Sequence, residues 1–233
     1  MSKGHVSRGP VSGEPLILGV DTSTTVNVGL ARGTAVLARG TVSDPMAHVE
    51  QLTPLIDRCL TEAGVTPRDL AVVVVGLGPG PFTGPRVGII TARILASALG
   101  IEQRGVCSLD VIALQHADTR PGTEFLVVTD ARRREVYWAR YSAAGHRTFG
   151  PAVGAPDDLP RLPAIGPAAD LYADRLTTAA GPRSLDAGVL ATRGLRLPDA
   201  GHEPLYLRRP DAMEPGRRKS VLHHHDRSSG SAR

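Results

Sequence analysis

Two stretches of the chain combine residue types that could hold a phosphate group. The first is a polar corner at residues 21–24, where one carboxylate and three hydroxyls follow an apolar segment. The second is a glycine-rich stretch at residues 76–84, which leads into an apolar segment. Glycines let the backbone approach a ligand closely, and the N–H groups of a helix N-terminus attract anions. The candidate phosphate residues are Asp21, Thr22, Ser23, Thr24, Gly78, Gly80, Thr83, Gly84 and Arg86.

A structural role is the alternative for both stretches. Asp, Ser and Thr side chains also form turns by bonding to nearby backbone. The glycine-rich stretch lacks the Gly-Lys-Ser/Thr ending of a Walker loop and the spacing of a dinucleotide fingerprint. Pro81 also removes one backbone donor from it. We therefore interpret this phosphate region as vestigial, and we expect the glycines mainly to position the helix that follows.

No other residue pattern indicates a catalytic or metal centre. The eight histidines include no pair four residues apart, so the chain has no HxxxH motif. Cys59 and Cys107 lie in apolar segments, which favours buried thiols in a reducing cytoplasm. The three histidines at 223–225 lie in a polar stretch that we expect to be a mobile tail. We predict no catalytic residue and no bound metal.

Composition narrows the class of protein further. The 233 residues suffice for two lobes with a real core, and the net charge of +4 is small. Aromatic residues make up 3%, which argues against a module that stacks nucleic-acid bases. No apolar run reaches the length of about 18 residues that a membrane span needs. The first 15 residues lack an apolar core, and we expect a disordered leader rather than a secretion signal.

Hydrophobic periodicity predicts the elements that position these residues. Strands are expected at 16–20, 26–31, 35–38, 71–76, 101–106, 125–129 and 135–141. Helices are expected at 46–63, 85–99 and 108–116, with short elements near 170–178 and 185–191. Residues 130–134 join two strands, so Arg132, Arg133 and Arg134 are expected at a hairpin tip, as a solvated tip or as a contact for a polyanion. A lobe boundary is expected near residues 105–110.

The predicted helix at 85–99 is apolar almost all round. Val87, Ile90 and Ile94 recur on one face, while Gly88, Ala92 and Ala96 form a row of small residues on another. A helix without a polar face must be covered on both sides. Its own sheet is one cover, and either the rest of the chain or a partner protein is the other.

Five motifs in order resemble the bacterial TsaB (YeaZ) family over about residues 16–220. They read DTST, HVEQLTPLID, GLGPGPFTGPRVGI, DARRREVYWARY and PLYLRRPDA. The chain departs from the family pattern at Pro81, where a serine is usual, and at Pro85, where an aliphatic residue is usual. Pro81 weakens a phosphate-binding role for the loop but not a structural one.

The resemblance implies an α/β, actin-like or sugar-kinase-like ATPase fold, related to ribonuclease H, with two βββαβα lobes of which the second is reduced. We assign the leader to 1–15, the N-terminal lobe to 16–107, the C-terminal lobe to 108–208 and the tail to 209–233. The family members are non-catalytic partners of the paralogue TsaD. With the ATPase TsaE they serve the transfer of a threonylcarbamoyl group to adenosine in tRNA anticodon loops. The resemblance implies a cytoplasmic protein without a cofactor of its own, ATP or ADP being bound only in the complex.

The resemblance also implies pairing with TsaD through the two helices of the N-terminal lobe, and a homodimer is an option when the chain is alone. The expected interface residues are His48, Leu52, Leu55, Ile56, Cys59, Val87, Ile90, Thr91, Ile94 and Leu95. Two alternatives remain open: an ATP-binding, kinase-like protein of the same fold, and a metallopeptidase, against which the absent HxxxH motif argues. Direct tRNA binding through the three arginines at 132–134 is a further option.

Overall fold

The computed structural model describes residues 13–43, 48–80, 84–119 and 122–208, which form two β-sheets with helices packed on them. Most of the predicted leader and all of the predicted tail lie outside these ranges. Within the described ranges, no helix is both long and apolar enough to cross a membrane.

The first sheet has five strands. They are β1 (Leu16–Asp21), β2 (Val26–Arg32), β3 (Ala35–Val42), β4 (Leu70–Gly76) and β5 (Glu102–Val106). Their order is β3-β2-β1-β4-β5; β1 to β3 form the predicted antiparallel meander, and β4 and β5 follow in parallel. β1 is buried along its whole length, because helices cover both faces of the sheet at this strand.

Alternate side chains of β1 enter different cores, as the period of a strand requires. Leu16, Leu18 and Val20 pack with α1 (His48–Glu62) and α2 (Gly84–Leu99). Ile17 packs on the other face with α3 (Ser108–Thr119) and α4 (Ala187–Arg193). α1 and α2 therefore cover one face of the first sheet, and α4 covers the other, with α3 packed beside α4.

The second sheet has four strands in the order β8-β7-β6-β9. They are β6 (Phe125–Asp130), β7 (Val136–Tyr141), β8 (Arg147–Gly154) and β9 (Ala164–Ile165). The first three form an antiparallel meander, and the two-residue β9 pairs in parallel with β6. A meander extended by parallel strands thus occurs in both lobes, and the actin-like fold with a reduced second lobe is confirmed. Among the described residues the second sheet thus has one strand fewer than the first.

Packing does not follow the chain order at the C-terminal end. α4 lies on the first sheet, where its backbone approaches Gly19 and Gly29 of β1 and β2 so closely that a Cβ on either glycine would collide with it. Residues 200–205 then pair with the first lobe, since Ala200 N donates to Gly105 O and Leu205 N to Leu77 O, each at 2.9 Å. The proposed boundary at 107/108 therefore separates the two sheets along the chain, but not every element that packs on them.

Candidate functional site

The polar corner after β1 is buried and bonded to itself. Asp21, Thr22 and Ser23 expose 0%, 0% and 4% of their surface. Asp21 Oδ1 accepts bonds from the backbone N–H of Ser23 at 2.9 Å and from its hydroxyl at 2.7 Å. The corner therefore uses its own carboxylate as a turn-forming acceptor, in line with the structural interpretation of the sequence.

Thr22 ties the corner to the start of α2. Its hydroxyl donates to Gly84 O at 2.6 Å and accepts from the backbone N–H of Gly88 at 2.9 Å. A Cβ on Gly84 would lie 2.7 Å from Thr22 O, and one on Gly88 would lie 2.6 Å from the Thr22 hydroxyl oxygen. The two glycines thus permit a close approach between helix and corner, as the sequence predicts for this loop.

Ser108, the first residue of α3, joins the corner to the glycine-rich loop. Its hydroxyl donates to Asp21 Oδ2 and accepts from the backbone N–H of Gly78 at 3.0 Å. Its own N–H donates to Gly78 O at 2.8 Å. A serine 87 residues away from Asp21 gives no local sequence signal of this contact, so only the fold brings the two together.

Residues 205–208 lie with Gly80 and Tyr137 around a small cavity beside the glycine-rich loop, which measures about 10 Å³. That volume suits about one water molecule. Asp21 and Thr22 direct their polar atoms at protein partners. Thr83 lies outside the described residues. The kinase-like alternative gains no support from this geometry.

Arg86, predicted in the phosphate region, instead holds the segment after α4. Its side chain is exposed, donates to the Tyr206 hydroxyl and lies 5.2 Å from the centre of the Tyr206 ring. Arg93, two turns later, donates to His202 O at 2.7 Å and to Glu203 at 3.0 Å. The two arginines therefore fasten residues 202–206 along one flank of α2.

The three consecutive arginines form a hairpin tip, as predicted. Arg132, Arg133 and Arg134 join β6 to β7, all with left-handed φ angles of 62°, 55° and 62°. All three are exposed, and the backbone N–H of Arg132 donates to Asp130 Oδ1 at 2.9 Å. The tip is available to solvent, which fits both the solvated and the polyanion-binding interpretation.

Titratable groups in the described ranges form no cluster of three or more that could ligate a metal. His116 is buried with its ring 4.6 Å from that of Phe125, while the histidines at 223–225 lie outside the described residues. Burial raises the pKa of the Cys59 thiol and raises that of Cys107 to about 12. Both cysteines are therefore core residues, as predicted.

The α1 part of the predicted interface is buried inside the chain. Leu52, Leu55, Ile56 and Cys59 expose between 1% and 7% of their surface and pack against the first sheet. The outer face of α1 carries polar residues such as Gln51 and Asp57. These four side chains are therefore corrected from interface to core, since α1 covers the sheet with its whole apolar stripe. The side chain of His48 lies outside the described residues.

The α2 part of the predicted interface is exposed. Ile90 and Ile94, one turn apart, expose 53% and 65% of their surface. Val87, Thr91 and Leu95 are half-buried beside them. The small residues Gly88, Ala92 and Ala96 face the core instead. We call the outward set of Val87, Ile90, Thr91, Ile94 and Leu95 the α2 stripe.

Comparisons with known proteins point in one direction. A family model described as "TsaD: tRNA N6-adenosine threonylcarbamoyltransferase" matches residues 45–187. An uncharacterised protein of Mycobacterium tuberculosis is 46% identical over 205 residues, which are 84% of this chain and 93% of that protein. The tRNA threonylcarbamoyladenosine biosynthesis protein TsaB of Escherichia coli is 35% identical over 130 residues, 54% of either chain.

A solved structure extends the likeness to the whole fold. A Pseudomonas aeruginosa protein with similarity to peptidase YeaZ superposes with a TM-score of 0.68 at 26% identity. The match covers 83% of this chain and 100% of that one. The matched family model, the named relatives and this shared fold together show that the chain belongs to the TsaB/YeaZ family.

Proposed function

We propose that this chain is a non-catalytic scaffold subunit that pairs with a TsaD paralogue for threonylcarbamoyladenosine modification of tRNA. The proposal is supported by relatives in Escherichia coli and Bacillus subtilis that are named tRNA threonylcarbamoyladenosine biosynthesis protein TsaB. It is also supported by the polar corner, where Asp21 and Thr22 are bonded to Ser23 and to the start of α2.

The single observation that carries the pairing proposal is the α2 stripe. Two large aliphatic side chains stand more than half exposed on one helix face. Contiguous apolar surface of this kind marks interaction sites, because its burial by a partner removes it from water. At about 25 cal/mol per Å², an isoleucine that is half exposed gains on the order of 1–2 kcal/mol when it is covered.

The surroundings of the α2 stripe resemble the polar rim of a protein interface. Arg86 and Arg93 lie along one flank, held by Tyr206 and Glu203. Interfaces commonly place such polar groups around an apolar centre, where they remain in contact with water. The interface therefore centres on α2, and α1 supports it from beside through their mutual packing.

The other partners follow from the same assignment. The complex would include TsaE and tRNA, and would work in the cytoplasm, where tRNA is modified. ATP or ADP would bind only in the assembled complex. The α2 stripe is also the candidate surface for self-pairing of the isolated chain.

Pairing is tested by titrating the chain with TsaD from the same organism in a calorimeter. Ile94→Asp places a carboxylate in the apolar centre, and we expect at least about 100-fold weaker binding, because burying an unpaired charge costs several kcal/mol. Leu171→Asp is the matched control, since Leu171 exposes 62% of its surface in the other lobe and Ile94 exposes 65%. Melting curves establish that both variants are folded.

Normal affinity of folded Ile94→Asp and Ile90→Asp variants for TsaD would remove the α2 stripe as the interface. Absence of binding by the unmodified chain would remove the pairing itself. In a reconstituted modification reaction, Ile94→Asp should lose the stimulation that the unmodified chain gives, while Leu171→Asp should keep it.

A further inference from the structure

A second cavity lies on the face of the molecule formed by α3 and α4, and no residue of the α2 stripe lines it. It measures about 380 Å³, within the range of small-molecule sites. The start of β8, the end of α4 and the turn after α4 meet around it. Its lining residues are Asp110, Leu114, Gly145, His146, Arg147, Arg193, Arg196, Leu197 and Pro198. We call this cavity the arginine cleft.

Two of the three arginines in the arginine cleft are held in place by carboxylates. Arg193 donates to Asp118 Oδ1 at 2.8 Å, and its second terminal nitrogen lies 2.7 Å from Asp118 Oδ2. The Nε of Arg147 lies 3.5 Å from Asp110 Oδ1. A guanidinium has five donors in a fixed fork, so each of these side chains keeps donors for a further acceptor.

Arg196 is the third arginine, and it has no such fixed partner. Its side chain is exposed, and across the described ranges no acidic side chain forms an ion pair with it. The turn that carries it is anchored, because Arg104 donates to Leu197 O at 3.1 Å. Arg196 therefore offers a positive charge at the mouth of the cleft from a defined backbone position.

The only carboxylate among the described lining residues sits at the floor and is already engaged. Asp110 exposes 4% of its side chain and accepts a bond from the Tyr141 hydroxyl at 2.8 Å. Burial raises the pKa of Asp110, while Arg147 and the Tyr141 bond act in the opposite direction. Its carboxylate is thus already paired with Arg147 and with the Tyr141 hydroxyl. Leu114, Leu197 and Pro198 add apolar walls.

We propose that the arginine cleft binds a small phosphorylated molecule, with Arg196, Arg193 and Arg147 facing its phosphoryl group and the apolar walls facing its remainder. Three guanidinium groups around one cavity suit a dianion with several acceptor oxygens, which each of them can approach with paired donors. The limited volume of the cleft and its apolar walls favour a small molecule over an extended polyanion. This site is independent of the pairing with TsaD.

The test is calorimetric titration of the full chain with AMP, with inorganic phosphate and with adenosine. We expect AMP to bind, inorganic phosphate to bind more weakly and to compete with AMP, and adenosine to bind at least about tenfold more weakly than AMP, since one charge-assisted contact is worth about that factor. Arg196→Ala should weaken AMP binding about tenfold or more. Arg68→Ala is the matched control, because Arg68 is exposed on a turn far along the chain from the cleft.

Each opposing result overturns the proposal. Equal binding of adenosine and AMP would mean that the phosphoryl group is not recognised. Equal weakening by Arg68→Ala and Arg196→Ala would mean non-specific attraction to a basic protein. AMP binding that survives Arg196→Ala would place the ligand elsewhere, and absence of AMP binding at millimolar concentration would rule out the site. Arg196 is exposed, so its replacement should leave the fold intact, which a melting curve verifies.

Discussion

α1 and α2 are neighbouring helices of 15 and 16 residues on the same face of one sheet, yet α1 buries mainly large side chains whereas most of the buried residues of α2 are small. α1 turns its large residues inward, among them Leu52 and Leu55, and presents polar residues to water. α2 turns small residues such as Gly88 and Ala92 inward and leaves Ile90 and Ile94 outside. Apolar content alone therefore does not tell which face of a helix meets its own sheet.

The close approach of α2 to the polar corner explains why α2 turns small residues inward. Thr22 bonds to the first turns of α2, and the space at Gly88 is too small for any side chain. Because small residues are required where α2 meets the corner, Ile90 and Ile94 lie on the opposite, exposed face, while Ile89 still packs into the core. A surface of this kind is retained where a partner covers it.

The largest expected contrast in stability is between Leu52→Ala and Ile94→Ala. Leu52 is 1% exposed, and its truncation should lower the free energy of unfolding by about 3 kcal/mol, because it leaves a cavity in the core. Ile94→Ala should change it by no more than about 0.5 kcal/mol, since the side chain is largely in water already. Urea denaturation of the isolated chain measures both. Equal losses would show that α2 is covered in solution, for example by self-pairing.

The rate of thiol labelling compares the exposure of the apolar faces of α1 and α2. Cys59 on α1 and Cys107 are buried, and burial raises the pKa of both thiols. A raised pKa leaves less of the reactive thiolate at pH 8. Because both thiols are also buried, the reagent should reach them only when the structure opens. Ile94→Cys adds a thiol on the exposed face, and we expect it to react at least about 100-fold faster, the factor that corresponds to an opening free energy of about 3 kcal/mol.

Labelling with a chromogenic disulfide at pH 8 gives the rates, and the unmodified chain is the control. Addition of TsaD should slow the reaction of the thiol at position 94 and leave those of Cys59 and Cys107 unchanged. Rapid reaction of Cys59 in the unmodified chain would contradict the burial of the apolar face of α1 against the first sheet.

Sequence patterns located most elements of the fold, because their causes are local. The apolar runs of β1 and β4 and the stop at Gly100 are visible without a structure. β8 was not predicted from the sequence. Its sequence RTFGPAVG contains glycine and proline, and none of its residues is buried, so it lacks the apolar pattern of a core strand. The segment near 170–178 forms turns rather than a regular element. The return of α4 to the first sheet depends on glycines more than 150 residues earlier, which no local pattern reports.

The sequence predicted which helices carry apolar faces, but not which of those faces the structure leaves exposed. Periodicity placed Ile90 and Ile94 on one face of a helix, and the structure exposes that face. Periodicity also predicted a broad apolar face on α1. It could not tell that the first sheet is wide enough to bury all of that face, including Leu55 and Ile56, because this depends on how distant strands assemble. The hydrogen bond from Ser108 to Asp21 could likewise not be predicted from the sequence, because it joins residues of the two lobes.

Thr22→Val tests whether the Thr22 hydroxyl holds α2 close to the polar corner. Valine keeps the shape of threonine but removes the hydroxyl that serves Gly84 O and the Gly88 N–H, so we expect a loss of about 2 kcal/mol in the free energy of unfolding. Thr53→Val on the exposed face of α1 is the matched control, with a change below about 0.5 kcal/mol. Hydrogen exchange should also quicken in the first turn of α2. Equal stability of the two variants would mean that α2 is positioned without this anchor.

The smallest expected effect belongs to the polar flank of the α2 stripe. Arg93 and Glu203 form an ion pair in which the side chains are 50% and 81% exposed. Such pairs contribute less than about 1 kcal/mol and are screened by salt. Arg93→Ala should therefore lower the free energy of unfolding by less than about 1 kcal/mol, with most of the difference gone in 1 M salt. Because a rim residue adds little affinity, its binding to TsaD should weaken far less than that of Ile94→Asp. A loss of binding as large as that of Ile94→Asp would move the centre of the interface from the isoleucines to the segment at 202–206.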